Sequence, residues 1–202
     1  MKWTYPALRV VGYGFLATYL IVFRDFTFSI PWVFGYVAIA VSVATLMVVL
    51  KLPERFPTLE RYHFARKAPN AEQPRTHEEW KKKHEEWDKK RWDYHVARFR
   101  LGIIVHTPHE DGLICVPVLL AGINPLSAII GGLVFGFFHL KGYTYLDCMT
   151  KAITYSLVCL IVLPHGLLTV VAGHFLIDVF AWLGLQAIVK LKAKKELGKQ
   201  AG

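Results

Sequence analysis

The sequence predicts an all-α protein: a polytopic transmembrane helical bundle of about six spans, with an amphipathic helical insertion on the cytoplasmic side. Three observations carry this. Of the 202 residues, 54% are hydrophobic and 19% charged, with a mean hydropathy of +0.35; a disordered chain would be far less apolar. The apolar residues fall in long runs, and about 20 such residues cross a bilayer as a helix. The net charge is nonetheless +9, so the charges must be kept in separate blocks. Such a block either binds nucleic acid or marks the cytoplasmic side of a membrane protein.

Residues 1–50 read as an N-terminal transmembrane hairpin. Residues 7–23 are apolar apart from Arg9 and Thr18, and 31–50 carry no charge. The RDFTFSI segment between them is a turn. A cleaved signal peptide fits less well, because a second span follows at once. Residues 51–100 form a basic cytoplasmic loop. Within it, Trp80, Trp87 and Tyr94 recur every seven residues among Lys and Glu, the pattern of an amphipathic helix over 76–100. Thr76 and Glu79 fit its capping box. Such a helix suits the membrane interface; the plainer alternative is a solvated helix with its aromatic stripe packed on its own domain, and its surface also suits docking a protein partner.

Residues 101–190 are apolar again, as a four-helix transmembrane core. The expected spans are 101–120, 123–140, 144–163 and 167–189. They are broken at Gly122-Ile123-Asn124-Pro125, Lys141-Gly142 and Pro164-His165-Gly166, where Gly and Pro favour turns. In a five-span alternative the first of them begins only after Gly112. Residues 191–202 are a basic tail. Six spans put 23 of the 24 Lys and Arg on one side, with Arg24 alone on the other. The positive-inside rule then places both termini and the 51–100 loop in the cytoplasm. The basic excess needs no nucleic acid, and neither a zinc-finger spacing nor a nucleotide-binding glycine loop is present. Cys115, Cys148 and Cys159 lie in apolar spans without CxxC spacing and read as small buried residues.

Ionisable side chains inside a span are costly and mark function. The candidates are Glu110, Asp111, His139, His174 and Asp178. Glu110 and Asp111 are adjacent carboxylates, and burial opposes ionising both, a poise suited to general acid/base work. An exposed HTPHED loop is the plainer alternative. His139 lies near a predicted membrane edge, where an interfacial histidine is common. His174 and Asp178 are four apart and share a helix face, which also suits polar contact between helices. Asp147 reads as a helix cap.

The order of these residues resembles the CAAX-protease and bacteriocin-processing (CPBP, or Abi) family of intramembrane proteases, whose motifs are EExxxR, FxxxH and HxxxN or HxxxD on successive helices. Phe135 to His139 matches the second, and His174 to Asp178 the third in its Asp form. In the first, Glu110-Asp111 stands for Glu-Glu and Cys115 occupies the Arg position. The resemblance covers about residues 100–190. It implies an endopeptidase hydrolysing a peptide bond of a membrane-associated or prenylated protein. Glu110 would be general base, His139 and His174 would orient water or stabilise the oxyanion, Asp178 would hold the His174 tautomer, and Asp111 would share a proton with Glu110. No cofactor is expected; the alternative is zinc on Glu110, His139 and His174. The functional alternative is an inactive CPBP-like subunit that docks a partner through 51–100, consistent with Cys115 at the Arg position. Ideal helix lengths place His139 and His174 at depths differing by on the order of 10–15 Å, a tension the fold has to resolve.

Overall fold

The computed structural model describes residues 4–56, 58–59, 107–140 and 143–200. Most of the basic loop, including the amphipathic helix expected over 76–100, lies outside the described residues. Those described are helical, with no β-strand among them. Helix α1 spans Thr4–Phe23 and α2 spans Ile30–Val49. A single turn of helix follows, α3, Leu52–Arg55. Residues 107–121 are helical and are called α4. Then come α5, Pro125–His139; α6, Tyr145–Ile161; a 3-10 turn, Leu163–His165; and α7, Leu167–Gln200.

The breaks have local causes. Asn124 caps α5: its side chain accepts from the Leu126 and Ser127 amides, Ser127 Oγ accepts from the Asn124 amide, and Pro125 takes the first helical position, where a missing N–H costs nothing. Thr144 and Asp147 form the same reciprocal box at the start of α6, each accepting the other's amide at 3.1 Å. Asp147 is thus a capping residue, as its position suggests. Gly166, at φ 111°, turns the chain into α7 with its α-carbon against the Thr27 carbonyl. The backbone there takes a conformation that side chains resist.

Two expectations are corrected. The helix of residue 110 is already formed at Thr107, so it does not begin after Gly112, and the HTPHED stretch from Thr107 on is no exposed loop: Thr107, His109 and Asp111 are buried. Helix α7 runs unbroken from Leu167 to Gln200 and so includes most of the basic tail.

Among the described residues, two helices are long and apolar enough to cross a membrane, α2 and the Leu167–Gly184 part of α7; α5 and the Ala7–Phe23 part of α1 are apolar but shorter. The core is centred on α6 and the start of α7, where Tyr155, Val158, Cys159, Val162, Leu163, Leu167 and Val170 are almost wholly buried. Glycines set the closest approaches. A Cβ on Gly132 would strike the Ala152 carbonyl and Ser156 Oγ, and one on Gly136 would meet the Cys148 carbonyl at 2.6 Å. Gly132 and Gly136 lie four apart on α5, facing Cys148, Ala152 and Ser156 at the same spacing on α6. This small-residue seam lets two backbones touch. A second such crossing joins α1 to α4, where a Cβ on Gly112 would strike the Gly12 carbonyl and one on Gly12 the His109 carbonyl.

Candidate functional site

The five residues singled out from sequence come from α4, α5 and α7, and these helices bring them to one place. Neighbours on a helix point about 100° apart and do not face each other. Glu110 and Asp111 therefore diverge, each toward a different histidine.

Glu110 faces His139, with Oε2 4.0 Å from Nε2. His139 Nδ1 donates to the Phe135 carbonyl at 2.8 Å, since a carbonyl can only accept. In the neutral ring this leaves the Nε2 lone pair toward Glu110. The separation exceeds a direct hydrogen bond, and contacts of this length are commonly completed by water.

Asp111 is fully buried. His174 Nδ1 donates to Asp111 Oδ1 at 3.0 Å, and the Tyr155 hydroxyl donates to the same oxygen. Cys115 Sγ lies 3.3 Å from that hydroxyl; because Tyr155 has committed its proton to Asp111, the thiol is the donor. Asp111 Oδ2 is buried and without a hydrogen-bond partner. On the other side of the imidazole, His174 Nε2 lies 4.0 Å from Asp178 Oδ2, which accepts from Thr107 Oγ1 at 2.9 Å.

This geometry reassigns two roles. The carboxylate that anchors the His174 ring is Asp111, bonded to Nδ1; Asp178 sits on the Nε2 side and is held by Thr107. Asp111 is turned toward α6 and α7, and shares its oxygen with Tyr155 and His174. Phe135 lies between the two histidines. Its ring is 4.5 Å from that of His139 and 5.5 Å from that of His174, and it stacks on Tyr155 at 4.1 Å.

Three contributors were not singled out from sequence. Tyr155 reads there as one more aromatic in an apolar run, yet a hydroxyl in mid-span needs a partner, and that was the available signal. Thr107 lies in the HTPHED stretch, hidden by the charges around it. Lys151 reads from sequence only as a topological charge. Its ammonium lies 4.5 Å above the Tyr143 ring, which meets His139 edge-on at 5.3 Å. Glu110 is within electrostatic reach of His174, Asp111, Asp178 and Lys151.

Among the described residues, no three His, Cys, Asp or Glu side chains are gathered closely enough to hold a metal ion. The arrangement offers acid/base chemistry: a carboxylate and an unprotonated imidazole nitrogen opposed across a short gap, beside a carboxylate-anchored imidazole. No protein-family profile, no characterised protein and no solved structure matches this chain.

Proposed function

We propose that this is an integral membrane hydrolase, an intramembrane endopeptidase of the CPBP type, cleaving a membrane-associated or prenylated protein. The membrane part is supported by the outward placement of apolar residues. Only 17% of the most apolar window of α2 is buried within the protein, whereas a helix serving as the core of a soluble protein would be mostly covered. Phe34, Val41, Leu46 and Val48 on α2 and Leu126, Leu133 and Phe137 on α5 are exposed. A bilayer would cover such surface, and six helices crossing it would leave both termini in the cytoplasm.

The single observation that carries the hydrolytic reading is the opposed pair of Glu110 and His139, 4.0 Å apart, beside the anchored His174. In this scheme a water between Glu110 and His139 loses a proton to the Glu110 carboxylate as its oxygen attacks the substrate carbonyl carbon. His174, as an imidazolium with one N–H on Asp111, donates the other, Nε2–H, to the developing oxyanion, where fixed donors act most strongly. Collapse of the tetrahedral intermediate breaks the C–N bond, and Glu110 returns its proton to the leaving amine. His139 orients the water. No cofactor is needed.

The test is cleavage of a prenylated or membrane-anchored peptide by purified protein. Glu110→Gln should lower kcat by about 10²–10⁴-fold while leaving the thermal transition in place; full activity in that variant would sink the proposal. One observation favours the inactive-subunit reading instead. Cys115, where the resemblance expects Arg, is fully buried and engaged with Tyr155. A stoichiometric partner that co-purifies and is lost on deleting 76–100, together with absence of cleavage, would select that reading.

A further inference from the structure

One hydrogen bond, from Nδ1 to Asp111, anchors His174. Held by one hydrogen bond, an imidazole can still rock about its side-chain torsions, and the direction of Nε2 moves with it. The surrounding rings remove that freedom. Phe135 of α5 and Tyr155 of α6 meet the imidazole edge-on, at 5.5 Å and 6.1 Å. Tyr36 of α2 lies nearly parallel to it, with centroids 5.8 Å apart and planes within 13°. Tyr36 is 3% exposed, and it comes from the N-terminal hairpin, which carries none of the motifs.

The approach of Tyr36 depends on its neighbour in space. Gly173 immediately precedes His174, and a Cβ there would lie 2.6 Å from Tyr36 Cβ and 2.8 Å from its Cγ. Any side chain at 173 would press the tyrosine out of its place beside the imidazole. A glycine in mid-helix costs roughly 1 kcal/mol against alanine, and here it admits the ring.

We propose that Tyr36 is a positioning residue for His174: its ring, admitted by Gly173, sets the imidazole plane so that Nδ1 faces Asp111 and Nε2 faces Asp178. The N-terminal hairpin is then part of the site. The ionisable groups around His174 are Tyr36 of α2, Asp111 and Glu110 of α4, Asp178 of α7 itself, His139 of α5 and Tyr155 of α6. A change in ring orientation alters its coupling to all of them.

The activity arm of the test rests on the hydrolytic reading; the spectroscopic arm does not. In the full-length protein in micelles, Tyr36→Phe keeps the ring and should leave kcat, the pH profile and the His174 imidazole nitrogen resonances as they are. Tyr36→Leu should lower kcat by about tenfold or more, with KM within about twofold, because small misplacements of a reacting group are costly. It should also move the pH profile and the titration of the His174 resonances. A leucine variant that behaves like the phenylalanine variant in the resonances overturns the proposal. Should Tyr36→Leu fail to fold, Gly173→Ala takes its place: it displaces the ring and should give the same shifts, and unchanged His174 resonances there would equally overturn the proposal. A wild-type protein without peptidase activity would count against the hydrolase, leaving Tyr36 to be decided by the resonances.

Discussion

Asp111 shows what a residue's surroundings add to its identity. From the sequence it is the second of two acids; in the fold it is the buried partner of His174 and Tyr155. Removing one member of a buried charged pair leaves the other uncompensated. Asp111→Ala should therefore cost about 3 kcal/mol of stability, read as a lowered thermal transition in detergent, whereas Glu110→Gln should act on turnover with little effect on folding. Equal destabilisation by the two would contradict the division of labour. That five ionisable residues stand out is legible in the sequence, because charge in an apolar run is expensive. Which carboxylate serves which histidine is not, since it depends on the angular step between residues 110 and 111 and on helices far away in sequence. Tyr155 escaped notice because an aromatic in an apolar run raises no alarm until its hydroxyl is asked for a partner.

Among the elements, the helices follow the apolar runs closely because their ends are written in local chemistry. Asn124-Pro125 and Thr144 with Asp147 are caps of short range, and their effect needs no tertiary context. Replacing Thr144 by Ala should cost about 1 kcal/mol in a thermal melt. How the helices meet is written in spacing that only a partner helix makes meaningful. Gly132 and Gly136 fit against Cys148, Ala152 and Ser156, and without knowledge that α6 lies opposite they look like ordinary weak points of a helix. Gly132→Val should destabilise by about 2–3 kcal/mol through overpacking. Gly14, which has open space where a Cβ would go, is the control: Gly14→Ala should change stability by no more than about 1 kcal/mol, in the stabilising direction. Similar losses at both positions would show that the seam is not what matters at Gly132.

For the whole molecule, composition made the bundle legible and charge supplied its expected orientation, which labelling can check. With single cysteines introduced on a background lacking Cys115, Cys148 and Cys159, an impermeant thiol reagent applied to sealed inside-out vesicles should label position 199 and spare position 27. The reverse pattern, or labelling of both, would overturn the assigned topology. The crossing of Gly12 with Gly112 has a different consequence. Gly112 directly follows Asp111, and the backbone of α1 rests on it with no side chain between. Such a contact has no give, and it is made by surfaces rather than by chain connectivity. The pieces before residue 60 and after residue 106 carry matching halves of it, with Tyr36 on Gly173 as a second point of recognition. Two polypeptides co-expressed from a gene divided between those positions should find each other in the bilayer and co-purify. Gly112→Val should abolish that reunion even where each piece inserts on its own.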